Sequence, residues 1–189
     1  VIYTSGSTGQ PKGVGNSQGA LRQRIDWMVE ELQFCSDHRV LQKTAFGFYV
    51  SVWEFFLPLL YGAELVLAAP GAHKDPAALQ ELIAGRGITT LHFVPSMLEA
   101  FLETGPQSED LASVQHVVVS GEALSLSTSQ RAQDMFAAAF WNFFGPTEAA
   151  IDVTSWRANS NLDSIGTPPI GSPIWNTQIH VLSSSLQAV

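Results

Sequence analysis

At 189 residues, with 46% apolar and 14% charged residues, the chain is long enough to bury one substantial core, and its composition excludes a disordered segment. A formal net charge of −8, with the Lys and Arg residues scattered rather than striped, repels phosphate backbones and argues against a nucleic-acid partner. The single cysteine, Cys35, excludes an internal disulfide framework and makes a reducing, cytoplasmic setting the simpler expectation, while apolar runs such as Phe55 to Leu60, broken by Pro58, are too short to cross a bilayer.

Val1 opens directly on a strand-like run, Val1-Ile2-Tyr3-Thr4, with no leading Met, and the far end stops just after another strand. The chain is therefore expected to be an internal piece of a longer protein. A loop rich in Gly, Ser and Thr, Ser5 to Gly13, follows the first strand, and then Leu21, Ile25, Met28 and Leu32 recur at helical spacing. Asp75 as N-cap with Pro76 in the first turn signals a helix through Leu79, Leu82 and Ile83 that ends at Gly85 and Gly87.

Leu91 to Val94 reads as a short strand, Pro95 to Leu102 as a helix, and His116 to Ser120 as a buried strand. Thr128 to Ala139 reads as a helix and Phe140 to Phe143 as a further strand. Beyond a Pro and Gly-rich stretch from Gly166 to Pro173, the alternation of Thr177, Ile179 and Val181 predicts a half-buried strand. Strands alternating with helices imply an α/β fold, a largely parallel sheet with helices on both faces. Ligands of such sheets bind at the carboxyl ends of the strands, where the loops after the first strand, after Ser120 and after Phe143 are all expected.

The run Thr4-Ser5-Gly6-Ser7-Thr8-Gly9-Gln10-Pro11-Lys12-Gly13 combines glycines, hydroxyls and a lysine, which lets backbone approach a polyphosphate and supplies donors and charge. It is not a Walker loop, because Pro11 and Gly13 flank Lys12 where Gly and Ser or Thr are needed. Composition alone fits a surface loop equally well. Asn142-Phe143-Phe144-Gly145-Pro146-Thr147-Glu148 offers an aromatic face, a rigid turn, a hydroxyl and a carboxylate, a set able to stack a base, touch a phosphate and hold magnesium. Taken alone, it also fits an ordinary turn with a capping Thr147.

Together these runs resemble the adenylate-forming superfamily, which includes peptide-synthetase adenylation domains, acyl-CoA synthetases and luciferases. Val50-Ser51-Val52-Trp53-Glu54 with Pro58-Leu59-Leu60-Tyr61-Gly62-Ala63 is similar to the substrate-pocket motif of nonribosomal peptide synthetases. His92-Phe93-Val94-Pro95-Ser96-Met97-Leu98 and Pro169-Ile170-Gly171-Ser172-Pro173-Ile174-Trp175-Asn176-Thr177 extend the likeness, so that residues 1–189 resemble part of one adenylation domain lacking its N-terminal start and its C-terminal lobe.

The resemblance implies ATP and Mg2+ as cofactors and phosphopantetheine on a partner carrier domain. It implies that Thr4, Ser5, Gly6, Ser7, Thr8, Gly9 and Lys12 handle the β- and γ-phosphates, with Thr8 and Lys12 acting on the leaving pyrophosphate. Gly121, Glu122 and Ala123 would line the adenine beside Asn142, and Phe144 and Gly145 would complete that wall. Phe144 stands where the family usually has Tyr, which keeps stacking and loses a hydroxyl. Thr147 would contact the α-phosphate, Glu148 would bind the magnesium, and Phe48 matches an aromatic position that gates thiol loading. A downstream ribose-binding Asp and a C-terminal Lys of the family lie outside this sequence, so the chain by itself is expected to be inactive.

The same resemblance places Tyr49, Val50, Trp53, His92, Val118, Ser120, Phe143, Ile151 and Asp152 around the substrate side chain. Trp53, His92, Ser120, Ile151 and Asp152 look like the lining of serine-selecting domains; a lone strand histidine would otherwise be read as a core residue. Tyr49 departs from the family's Asp, which pairs the substrate ammonium, while Gly47 replaces a usual Ser and Phe143 is bulkier than the usual Leu. The implied function is activation of an amino acid or related carboxylic acid for a carrier-protein thiol, with condensation domains as further partners. Alternatives are an acyl- or aryl-CoA synthetase, which Trp53-Glu54 and Trp175-Asn176-Thr177 argue against, and a noncatalytic scaffold that binds no ATP.

Overall fold

The computed structural model describes residues 1–4, 9–158 and 166–189. It begins with an antiparallel pair, β1 (Ile2–Thr4) and β2 (Lys12–Val14), which sets Thr4 opposite Lys12. The first strand is thus not a member of the parallel sheet, as its pattern suggested, but half of a separate two-stranded unit. The reason is local: a parallel partner needs a crossover of a dozen or more residues, whereas Gly9, in the left-handed region at φ 79°, and Pro11 precede a strand that lies directly beside the first.

The main sheet has seven strands in the order β4-β3-β5-β6-β7-β8-β9. β3 (Arg39–Gln42), β4 (Glu64–Leu67), β5 (Thr90–Phe93), β6 (His116–Val119) and β7 (Ala139–Phe144) run parallel. β8 (Thr154–Arg157) and β9 (Ser172–Pro173) close one edge antiparallel. The inner strands β5, β6 and β7 are almost wholly buried because both faces are covered. On one face, α1 (Gln18–Glu31) and α2 (Ser51–Tyr61) bring Ile25, Met28, Trp53 and Leu57 onto Val40, Val118, Trp141 and Phe143. On the other, α3 (Pro76–Arg86), α4 (Pro95–Glu103) and α5 (Leu126–Met135) pack Leu79, Ile83, Leu98, Phe101 and Ala132 against Leu41, Leu91, Phe93, Val117 and Val119. Adjacent residues of β6 serve opposite cores, as the period of a strand requires.

Helix boundaries follow their caps. Ser17 accepts from Ala20 N at 3.1 Å to open α1, and Asp75 accepts from Ala77 and Ala78 N ahead of Pro76. Gly87 rather than Gly85 ends α3, in the left-handed conformation at φ 58°. Pro58 lies inside α2 rather than breaking it, and Gly62 at φ 71° ends that helix. The costs of an interior proline are offset there by the complete burial of Trp53 and Leu57.

The helix expected over 128–139 runs instead from Leu126 to Met135, and Ala139 opens β7. Helix-favouring alanines lose to the sheet there, because Ala139 pairs with His116 and Phe140 with Val117. The strand expected through Thr177, Ile179 and Val181 is absent: among the described residues only a bridge between Leu182 and Ala188 forms, and Val181 is 71% exposed. Its alternation has no neighbouring strand to bury against, and an unpaired strand is not stable. No described helix is long and apolar enough to cross a membrane.

Candidate nucleotide and substrate site

The loops after β3, β5, β6 and β7 gather at the carboxyl ends of the parallel strands. Between the last two of these lies a cavity of about 380 Å³ whose walls include Gly121, Glu122, Ala123, Asn142, Phe143, Phe144 and Gly145, with Tyr49 on one side and Thr167, Pro168 and Ile170 on another. Two segments about twenty positions apart in sequence, Gly121 to Ala123 and Asn142 to Gly145, are thereby brought to one opening. Phe144 is 46% exposed and presents a ring to it. Asn142 is held by donating from Nδ2 to Pro169 O at 2.9 Å.

Two glycines are required by this geometry. A Cβ on Gly145 would stand 2.5 Å from Ile151 O and from Asp152 Cα, so only glycine lets the turn after β7 fold back on the segment leading to β8. Gly121 has φ 92°, and its missing Cβ leaves room for the Phe48 ring, which would otherwise be 3.0 Å away. Glu122 has a structural task beside any ligand role: its Oε2 accepts from Ser96 N at 3.0 Å and so caps α4, whose N-cap Val94 has no side-chain acceptor.

The expected phosphate and metal residues are placed less closely together. Thr4, Gly9 and Lys12 belong to the hairpin and do not line this cavity, and Ser5, Gly6, Ser7 and Thr8 lie outside the described residues. Thr147 is buried in a short 3-10 turn, Thr147–Ala149, whose Thr147 carbonyl accepts from Asn16 Nδ2 at 2.8 Å. Glu148 is exposed and borders a different cavity, of about 390 Å³, with Asn16, Arg24 and Asp152. No group of three or more His, Cys, Asp or Glu side chains that could hold a metal occurs among the described residues. A single exposed carboxylate fits Mg2+ only where phosphate oxygens and water supply the remaining ligands, which is the usual habit of that ion with nucleotides.

The expected substrate residues do converge, on the α1/α2 side of the sheet. Val50, Trp53, His92, Val118, Ser120, Phe143, Ile151 and Asp152 are all at most 3% exposed. Of the full set, Tyr49, Phe143, Ile151 and Asp152 border one or another of these cavities, Tyr49 doing so on both the 380 Å³ side and an apolar side of about 400 Å³ lined by Phe46, Val52, Phe55 and Phe56. His92 Nε2 lies 3.0 Å from Ser120 Oγ, and the Trp53 ring meets His92 edge-on at 6.1 Å. Several buried polar atoms here, Trp53 Nε1, His92 Nδ1 and Asp152 Oδ1, have no hydrogen-bond partner. Such atoms are rare in native cores and concentrate at functional sites. Ala150 and Ile151, at φ 58° and 88°, add backbone strain at the same place, and for a β-branched residue that conformation is a true outlier.

Asp152 is not free. It is buried and ion-paired with Arg24 of α1, whose guanidinium also lies 4.6 Å over Trp27 and 5.1 Å over Phe143. Burial pushes the Asp152 carboxyl up and Arg24 down, with their mutual attraction opposing both. Arg24 was not singled out from the sequence, although it sits between Leu21 and Ile25 on the apolar stripe of α1, and a charge on a buried face signals a buried partner. Glu54 is a second such residue, alone among Val52, Trp53, Phe55 and Phe56, and it is fully buried. Tyr49 is half-buried against Phe48, ring to ring at 4.8 Å, and burial, with Asp152 second, pushes its phenol up to about 12.

The chain is thus an α/β lobe with a glycine-framed opening at its strand ends, an aromatic face beside it and a buried wall that carries an ion pair. The comparisons give it a family. The model of the AMP-binding enzyme family matches residues 1–189, and the chain belongs to that family. It is 48% identical over its whole length to vanchrobactin synthetase VabF of Vibrio anguillarum, of which it covers 7%. Among solved structures it matches the Vibrio cholerae adenylation domain AlmE in complex with glycyl-adenosine-5'-phosphate, with a TM-score of 0.89, 26% identity, and coverage of 98% of this chain and 35% of that one. It also matches the N-terminal subdomain of Klebsiella oxytoca NpsA in complex with 3-hydroxybenzoyl-AMSN, with a TM-score of 0.84 and 28% identity, covering 100% of this chain and 46% of that one. The chain thus spans a small part of the length of its relatives.

Proposed function

We propose that the protein containing this chain activates a carboxylic acid with ATP, forming an acyl-adenylate and releasing pyrophosphate, and then transfers the acyl group to the phosphopantetheine thiol of a carrier-protein domain in nonribosomal peptide synthesis. The observation that carries this reading is the single cavity that joins the Gly121–Ala123 loop, Asn142 and the Phe144 ring to Tyr49 and Phe143 at the head of the substrate wall. A carboxylate seated beside Tyr49 would then be next to a nucleotide seated against Phe144. The substrate carboxylate attacks the α-phosphorus; Thr147 would contact the α-phosphate, and Thr8 and Lys12 the departing β- and γ-phosphates. Mg2+ held by Glu148 would offset phosphate charge. Such a transfer depends on positioning and on neutralising charge rather than on covalent chemistry by the protein.

The substrate wall favours a small side chain with a hydroxyl, because His92 and Ser120 already form a buried polar pair among Trp53, Val118 and Ile151. A site that must satisfy buried polar groups rejects substrates lacking the matching group. The α-ammonium is the weak point of a serine reading. With its pKa at about 12, the Tyr49 phenol is neutral near pH 7, and Asp152 is already taken by Arg24. An ammonium buried without an anion costs several kcal/mol. The site is therefore serine-like in its side-chain wall but lacks an anion for the ammonium, so that serine is activated poorly or an acid lacking the ammonium is preferred.

The test is pyrophosphate exchange by the full-length parent against amino, hydroxy, keto and aryl acids, before and after Tyr49→Asp. A rise in serine-dependent exchange of roughly tenfold or more in the variant is expected from restoring the ion pair. Efficient serine activation by the Tyr49 protein would sink the charge argument. Exchange with none of the acids would favour the noncatalytic scaffold.

A further inference from the structure

Glu54 engages both of its oxygens with the segment that leads to Tyr49. Oε1 accepts from Thr44 Oγ1 at 2.6 Å, and Oε2 accepts from Thr44 N at 3.0 Å and from Gln42 Nε2 at 3.3 Å. The same Oε1 lies 3.9 Å from His92 Nδ1, with both side chains buried. That nitrogen has no hydrogen-bond partner, while the other ring nitrogen, Nε2, is 3.0 Å from Ser120 Oγ. A chain of groups therefore runs from Thr44 through Glu54 and His92 to Ser120, crossing from α2 to β5 to the end of β6.

Burial, with the nearby Lys43 second, holds the His92 imidazolium well below its ordinary range, so the ring is neutral and carries one proton. That proton sits on Nδ1 or on Nε2, and the group facing the other nitrogen decides which. Burial pushes the Glu54 carboxyl up, opposed by Lys43 and by the hydrogen bonds from Thr44. Both of its oxygens accept, so a lone pair on Nδ1 would face Oε1 across a low-dielectric gap with no proton between them, whereas an N–H there is attracted to that oxygen.

We propose that Glu54 is a positioning residue for substrate selection: it fixes His92 as the Nδ1–H tautomer, so that Ser120 donates its hydroxyl proton to Nε2 and keeps its oxygen as an acceptor for a donor group on the substrate side chain. The substrate class this selects is an acid with a small side-chain hydroxyl that donates. The inference rests on the reading of His92 and Ser120 as substrate wall. It makes Glu54, which lines none of the cavities described above, the origin of the wall's hydrogen-bond polarity.

The experiment uses the full-length parent with histidine labelled in 15N, and the His92 signal identified by its loss in His92→Gln. The Nδ1–H tautomer is expected in the unmodified protein and a mixture or the Nε2–H tautomer in Glu54→Gln. In pyrophosphate exchange, the serine-to-alanine ratio of kcat/KM should fall by roughly tenfold in Glu54→Gln, the worth of one hydrogen bond, with the KM for ATP unchanged. Glu54→Asp should restore part of both effects. An Nε2–H tautomer in the unmodified protein, or an unchanged tautomer and ratio in Glu54→Gln, would overturn the proposal. If Glu54→Gln does not fold, the tautomer of the unmodified protein still decides it. If no hydroxyl-bearing acid is activated while the tautomer responds to Glu54, the substrate reading fails and the positioning role stands.

Discussion

Lys43 shows how a single buried charge tilts the site around it. It follows β3, is 6% exposed, and has as its nearest partners Met97 Sδ at 3.6 Å and the Phe93 ring at 4.7 Å rather than a carboxylate. Burial pulls its ammonium from 10.5 down to about 8, against the attraction of Glu54. The folded pKa is thus depressed below the unfolded one, and between about 8 and 10.5 the unfolded chain holds a proton that the folded one has lost. Through that window Lys43 makes stability rise with pH, by up to roughly 1.4 kcal/mol per pH unit. Removing the charge in Lys43→Met should abolish this rise and increase stability near neutral pH. Thermal midpoints of the full-length parent at pH 7 and pH 9.5 would show it; an equal pH dependence in both proteins would mean that the lysine is solvated.

At the scale of elements, the loops proposed to meet the nucleotide stand on different supports. Lys12 begins a three-residue hairpin strand that lies apart from the sheet, while Phe144 ends the buried strand β7 and Gly145 to Glu148 continue directly from it. The two strands of the hairpin pair with each other and with no strand of the main sheet; the β7 turn is fixed by Gly145 against Ile151 and Asp152. Substitution of each should therefore report a different step. Lys12→Ala is expected to slow exchange in the full-length parent about tenfold or more, as loss of a charge contact to the leaving group, with little change in acid binding. Glu148→Gln is expected to raise the magnesium concentration needed for half-maximal exchange. Unchanged kinetics in the first, or an unaltered magnesium titration in the second, would return that residue to a structural role.

Across the whole molecule, the Arg24–Asp152 pair joins α1 to the segment after β7, residues 128 positions apart in the chain. It crosses the face of the proposed substrate wall and is packed between Trp27 and Phe143. Breaking a buried pair by removing one partner leaves an uncompensated charge and costs about 3–5 kcal/mol, whereas replacing both partners can be neutral. Arg24→Met should thus lower the thermal midpoint strongly, and Arg24→Met with Asp152→Leu should recover most of the loss. Equal damage in the double variant would show that Asp152 is needed for more than pairing Arg24.

The alternation of strands and helices, the Asp75-Pro76 helix start and the turn after Phe144 were legible in the sequence because each is a local pattern: a period, a cap or a turn whose chemistry lies within a few residues. Local pattern also misled, where Ala137 to Ala139 favoured helix and Thr177 to Val181 favoured strand, since sheet pairing decides the first and the lack of a partner strand the second. The residue types of the proposed substrate wall could be set out from resemblance alone. Their closure could not, nor could the Arg24–Asp152 pair or the Thr44–Glu54–His92–Ser120 chain. Those depend on which buried charges meet across the sheet, and in a low-dielectric interior that meeting, rather than the identity of any one side chain, determines which group is charged, which donates and which accepts.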